Sequence, residues 1–108
     1  MNEAVLYTAQ RVTAMILAPL VFIHLGLILY AVSDGLTADE ILSRTRGNLA
    51  WAAFYILFVL SAAVHAPLGL RNILREWLGL RGRMVDFALV LFAILLAGLG
   101  LRAVMAVI

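Results

Sequence analysis

The chain has 108 residues, 66% of them hydrophobic and 13% charged, with a mean hydropathy of +1.10; a soluble domain of this length has no interior large enough to hide so much apolar surface. It contains no cysteine, which excludes disulfides, thiolate-held iron–sulfur clusters and cysteine-based zinc sites and leaves His24, His65 and carboxylates as the metal ligands on offer. Eight basic residues, all arginine, against six acidic ones give a net charge of +2, too small and too scattered to argue for a nucleic-acid partner.

Met1 to Gln10 reads as a short polar lead, with Tyr7 near the expected membrane interface. Arg11 follows, and Val12 to Val32 then carries no charged residue; these 21 residues are enough to cross about 30 Å of hydrocarbon. A signal peptide has a shorter apolar core and a small-residue cleavage site, so the segment reads as a retained span. Pro19 inside it frees the carbonyl one turn earlier and predicts a kink. Ser33-Asp34-Gly35 is a turn signal. Thr37-Ala38-Asp39-Glu40 has the capping-box pattern and predicts a short interfacial helix reaching Gly47-Asn48. Leu49 to Leu70 is a second span, interrupted by His65 and Pro67. Arg71 to Arg83 reads as a loop in which Arg71, Arg75, Arg81 and Arg83 face Glu76. Phe87 to Ile108 is a third span, with Asp86 at its entrance as a cap or dipole partner and Arg102 near its far end. The expected fold is an all-α membrane protein: one domain over 1–108 with spans at about 12–32, 49–70 and 87–108, lying in the lipid bilayer.

Arginine distribution sets the expected orientation. Arg11 and the second loop contribute five arginines on one side, and Arg44, Arg46 and Arg102 lie on the other. The positive-inside rule then puts the N-terminus and second loop in the cytoplasm and the C-terminus outside, in a membrane of the bacterial inner-membrane type. Tyr7 and Trp77 fall at one interface, Tyr30 and Trp51 at the other. A proton-coupled transporter needs a carboxylate in mid-membrane; no span holds one, since Asp86 is at an edge.

The stretch Ser61 to Trp77 gathers the chemistry. At about 100° per residue, Phe54, Phe58, Ser61, His65, Gly69, Asn72 and Glu76 share one helix face. An imidazole on such a face has two readings: a hydrogen bond between helices, or an axial ligand to haem iron, with Gly69 one turn on leaving room for the flat macrocycle. Ionisable groups inside membranes are rare and usually functional. His24 lies about 20 Å beyond Arg11, and His65 about 9 Å from the same membrane edge at Arg71, at 1.5 Å per residue. A height gap of roughly 10 Å prevents both from gripping one iron. If both are ligands they serve two stacked haems, each needing a second histidine from a partner chain.

His65-Ala-Pro-Leu-Gly69-Leu-Arg71 followed by Glu76-Trp77 resembles the second-helix motif of the membrane anchors of succinate dehydrogenase and fumarate reductase, where a haem-ligating histidine precedes a glycine by four residues and an acidic–aromatic pair, usually Asp-Tyr, follows. Gln10-Arg11-Val12-Thr13-Ala14 is similar to the arginine-containing start of that family's first helix, and the three-span length extends the resemblance to nearly the whole chain. The arginine-containing start and the Glu-Trp pair look more like the small hydrophobic anchor than the cytochrome b556 subunit. Glu76-Trp77 departs from Asp-Tyr, where the tyrosine hydroxyl donates to a quinone carbonyl; Trp77 offers an indole N–H instead. His24 has no counterpart in one-haem members but resembles the first-helix ligand of two-haem members.

The resemblance implies a subunit that is not catalytic alone. It would bind haem b, one or two, shared with a second membrane-anchor subunit, and pass electrons between an iron–sulfur subunit and membrane quinone, with a flavoprotein subunit oxidising succinate or reducing fumarate. The iron–sulfur subunit would dock on the arginine-rich face. His65 would ligate haem iron, His24 a second haem iron, and Gly69 would make room for the ring. Arg71 would partner a propionate, and Arg102 would do so for a distal haem, against the alternative of reaching out to the interface. Quinone would bind near the arginine-rich face, with Arg11 polarising a carbonyl, Trp77 donating and Glu76 relaying a proton. Thr13 and Ser61 are expected to bond their own helix or a neighbour, and Ala62, Ala63, Gly98 and Gly100 to serve packing. A haem-free structural anchor, or the cytochrome b subunit of another quinone-linked reductase, remains an alternative on the same residues.

Overall fold

The computed structural model describes residues 2–108, so Met1, the first residue of the expected polar lead, lies outside the described residues. Four helices follow one another: α1 Glu3–Asp34, α2 Ala38–Thr45, α3 Leu49–Trp77 and α4 Arg83–Val107. The first, third and fourth are long and apolar enough to cross a membrane, and no strand occurs among the described residues. This is the expected all-α membrane architecture.

Three of the helix starts are capped by side chains, because the first amides of a helix have no partner inside it. Asn2 accepts from the Ala4 and Val5 amides, and Asn48 from those of Ala50 and Trp51. The expected capping box is present at α2: the Glu40 amide donates to Thr37 Oγ1 at 3.2 Å while that hydroxyl donates to Glu40 Oε1 at 2.8 Å. Arg44 then ties α2 to the end of α1, donating to Asp34 Oδ2 at 2.6 Å and to the Gly35 carbonyl at 2.7 Å.

Several boundaries differ from expectation. The polar lead is helical from Glu3 onward, α2 ends at Thr45, and α3 runs to Trp77, so the expected Arg71–Arg83 loop shrinks to residues 78–82. The charges there decorate a helix leaving the bilayer. Asn72-Ile-Leu-Arg-Glu-Trp holds no residue that breaks a helix, and the turn comes only at Gly79, whose φ of +67° is the left-handed conformation glycine tolerates. α1 continues through Pro19 without a break.

α3 is the centre of the bundle, packed against α4 on one side and α1 on the other, and α2 lies against α4. There Thr45 Oγ1 donates to the Val107 carbonyl. α3 and α4 approach closely at Gly100, where an added Cβ would stand 2.5 Å from Val59 Cγ1. At Gly98, expected to serve packing, an added Cβ would meet open space. The molecule measures 47 × 23 × 22 Å, and the long dimension matches the roughly 48 Å of a 32-residue helix. Its interior is slight: Leu20, Ala63, Leu89 and Val104 are the buried hydrophobics among the described residues, while Phe22, Leu29, Ile94 and Met105 face outward. Helices apolar all round are solvated by lipid or by another subunit.

Candidate functional site

The α1–α3 seam carries both histidines. On α1, Glu3, Leu6, Gln10, Thr13, Leu17, Leu20 and His24 recur at alternating spacings of three and four, which places them along one helix face. Contacts down the seam show the antiparallel register with the α3 stripe: Glu3 meets Arg71 and Arg75, Gln10 meets Gly69, Thr13 meets His65, and His24 meets Phe58 and Tyr55. Since Thr13 is level with His65, the two imidazoles are separated by the rise from Thr13 to His24, about 16 Å along the axis. They occupy two levels, farther apart than the roughly 10 Å of the depth estimate.

At the first level, His65 Nδ1 lies 3.2 Å from Thr13 Oγ1. Thr13 is buried, and its Oγ1 is 2.7 Å from the Ala9 carbonyl oxygen and 3.1 Å from that of Gln10. A hydroxyl has one proton and two lone pairs. Assigning the proton to Ala9, the shorter contact, makes the oxygen the acceptor of the ring's hydrogen; on that assignment Nδ1 carries the imidazole hydrogen and Nε2 keeps its lone pair. This is the tautomer a metal-ligating histidine adopts when its other nitrogen is held by a neighbouring acceptor. One turn on, an added Cβ at Gly69 would stand 3.4 Å from Gln10 Nε2, so the space at Gly69 faces the Gln10 side chain on α1. Gln10 Oε1 is buried with no hydrogen-bond partner among the described residues.

Beyond Gly69 the seam ends in an ionic clasp joining three helices. Arg71, only 7% exposed, donates to Glu3 Oε1 at 2.8 Å, to Glu3 Oε2 at 3.2 Å and, through Nε, to Asp86 Oδ1 at 3.2 Å. Arg75 adds a 2.9 Å bond to Glu3. Glu3 stands outside the apolar span, and the hydrogen bonds from Arg71 and Arg75 lower the pKa of its carboxyl to about 2. Arg71, expected beside a propionate, therefore has its guanidinium engaged by two carboxylates, and Asp86, expected as a cap or dipole partner, lies in the first turn of α4 and is one of them. Beside the clasp lies a polar cleft of about 380 Å³ lined by Glu3, Tyr7, Gln10, Arg71, Asn72 and Glu76, with Leu6 and Leu68. Of the residues expected around quinone, Glu76 reaches this cleft. Arg11 is exposed and lies over the Tyr7 ring at 6.0 Å, and Trp77 is 80% exposed.

At the second level, His24 sits against Phe58 at 5.3 Å and edge-on to Tyr55 at 6.4 Å between ring centroids. It lines two cavities. One, of about 420 Å³, includes Tyr30, Arg44, Thr45, Trp51 and Tyr55 in its wall; the other, of about 320 Å³, is bounded by Tyr55, Phe58, Val59, Gly100 and Val104. Arg102 is exposed and lines neither, whereas Arg44 lines the larger. Among the described residues no three histidine, cysteine or acidic side chains converge, and each level holds one imidazole.

Sequence reasoning does not single out Thr13 and Gln10 as site residues, and it gives Tyr7 and Arg44 other roles. The first two carry a signal: polar residues three apart in a largely apolar helix, on the same face as His24. Arg44 carries none, because its place depends on how α2 folds back.

The family model described as succinate dehydrogenase/fumarate reductase transmembrane subunit matches residues 2–101. No curated protein and no solved structure matches the chain.

Proposed function

Because the chain belongs to the succinate dehydrogenase/fumarate reductase transmembrane subunits, we propose that it is a haem b-binding anchor of such a complex, in which His65 and His24 would hold haem iron at two levels. The observation that carries this reading is the bond between Thr13 and His65 Nδ1, which leaves Nε2 with its lone pair. The bond also joins α1 to α3, and membership of the family is what favours the ligand role over a helix-to-helix contact alone.

Haem b, when bound, supplies one-electron transfer. The chain's own residues orient and exclude. The α1–α3 seam fixes the His65 ring, Phe58 and Tyr55 hold the His24 ring, and the cavities beside His24 give space for a flat ligand completed by a partner chain. A second ligand at each level would come from a second membrane-anchor subunit, since this chain offers one imidazole per level. Gly69 and Arg71 belong to the His65 level, Gly69 as the side-chain-free turn beside Gln10 and Arg71 as the clasp that closes the end of the seam. At the His24 level Arg44, rather than Arg102, is the cation beside the cavity.

Quinone is assigned to the polar cleft at the arginine-rich end. Gln10 Oε1 is an unsatisfied acceptor there, suited to a quinol hydroxyl, and Glu76 is placed to pass a proton to solvent. Arg11 and Trp77 stand outside that cleft and take part only if a partner subunit folds the site over them. The exposed Arg81 and Arg83 offer the iron–sulfur subunit a basic seat, with the flavoprotein subunit beyond it, on the cytoplasmic side of a bacterial-type inner membrane.

A reduced pyridine-haemochrome spectrum of the purified complex, taken with His24→Ala and His65→Ala variants, tests the reading. Two haems per complex, each variant losing a different one, is the expected result. One haem lost only with His65→Ala reduces His24 to a packing residue, and a colourless complex overturns haem ligation altogether.

A further inference from the structure

We infer that Thr13 is the positioning residue of His65: its hydroxyl accepts the Nδ1 hydrogen and so sets both the ring's orientation and the basicity of Nε2. This rests on the reading of His65 as a ligand. Threonine in an apolar helix ordinarily donates its hydroxyl proton back to its own chain one turn earlier, and Thr13 does so, with 2.7 Å to the Ala9 carbonyl oxygen. That bond alone satisfies the donor. The contact at 3.2 Å with His65 Nδ1 is a second bond made across the seam. Its polarity follows from assigning the hydroxyl's single proton to Ala9, the shortest of its contacts.

The result is a relay of polarised bonds, Nδ1–H to Oγ1 and Oγ1–H to the Ala9 carbonyl. Each bond strengthens the next in a site shielded from water, and Thr13 is buried. An acceptor on Nδ1–H raises the electron-donating power of Nε2 and favours the more positive oxidation state of a bound iron. The register that brings Thr13 to His65 is fixed nearby: Glu3 and Arg71 pair on the same two helices, six residues past His65 on α3. Among the described residues His24 has no such relay. Its neighbours across the seam are the rings of Phe58 and Tyr55, so it serves as an internal reference.

The experiment is a redox titration of the purified complex, followed through the haem absorption and low-temperature EPR, comparing the native chain with Thr13→Val, Thr13→Ala and Thr13→Ser. Thr13→Val and Thr13→Ala are expected to move the midpoint potential of the haem that His65→Ala removes to more positive values and to shift its ferric g values. Thr13→Ser keeps the hydroxyl and is expected to titrate like the native chain, and the other haem stays put throughout. Loss of that haem in both hydroxyl-free variants, with recovery in Thr13→Ser, supports the inference equally. Native-like titration of Thr13→Val or Thr13→Ala overturns it, as does haem loss that Thr13→Ser fails to restore. A native complex without haem overturns the ligand reading itself, which separates the two failures.

Discussion

Two glycines on α4, two residues apart, separate packing from mere composition. An added Cβ at Gly100 would stand 2.5 Å from Val59 Cγ1 and 3.0 Å from its Cγ2, while at Gly98 nothing lies within 4 Å. Val59 is β-branched and in a helix has essentially one side-chain rotamer, so it has little room to yield. Gly100→Ala is therefore expected to destabilise the α3–α4 seam by about 1–3 kcal/mol, read as a lower midpoint in detergent unfolding of the purified protein. Gly98→Ala should hold or raise the midpoint, since open space lets the alanine add up to about 1 kcal/mol of helix propensity. Combining Gly100→Ala with Val59→Ala should recover part of the loss, since the clash needs both side chains. An unaffected Gly100→Ala protein would mean the helices can separate there without penalty.

At the scale of elements, α2 is the piece held by side-chain chemistry more than by apolar burial. It is eight residues long, too short to persist alone, and depends on the Thr37–Glu40 box and on Arg44 reaching back to Asp34 and Gly35. Thr37→Ala is expected to cost about 1 kcal/mol and to speed amide hydrogen exchange in Ala38–Thr45, with the three long helices unchanged. Equal protection in the variant would assign α2's stability to its contact with α4 instead. The capping box is legible in the sequence because it is local, spanning four residues. The helical extent of Arg71–Trp77 is not, because a run of charges looks the same on a loop and on a helix that has left the bilayer. The clasp is hidden altogether. Glu3 and Arg71 are 68 residues apart, and periodicity fixes which face of a helix is polar without fixing which face it meets. His65 and Gly69 are readable from one stripe on one helix, whereas Thr13 acquires its role only when α1 and α3 are set in register.

For the molecule as a whole, the polar chemistry is sorted by end. α1 begins at Glu3, nine residues before its charge-free stretch, and α3 continues seven residues past its own, so both overrun at the end that holds Arg71, Arg75, Arg81 and Arg83. α4 starts at Arg83 on the same side. The opposite end is closed by α2 and the Arg44–Asp34 pair. Such asymmetry predicts orientation: the arginine-rich end is expected to remain in the cytoplasm, because translocating its charges is opposed. The chain has no cysteine, so single thiols can report it without background. Leu80→Cys, in the 78–82 turn, is expected to resist a membrane-impermeant maleimide on intact cells and to react once the membrane is opened. Ala38→Cys, at the start of α2 and exposed, is expected to react from outside in both conditions. The reverse pattern would place the Gln10–Glu76 cleft on the outer face. It would then separate that cleft from any soluble iron–sulfur subunit in the cytoplasm, so the quinone assignment and the docking face would fall together while the helix packing stood.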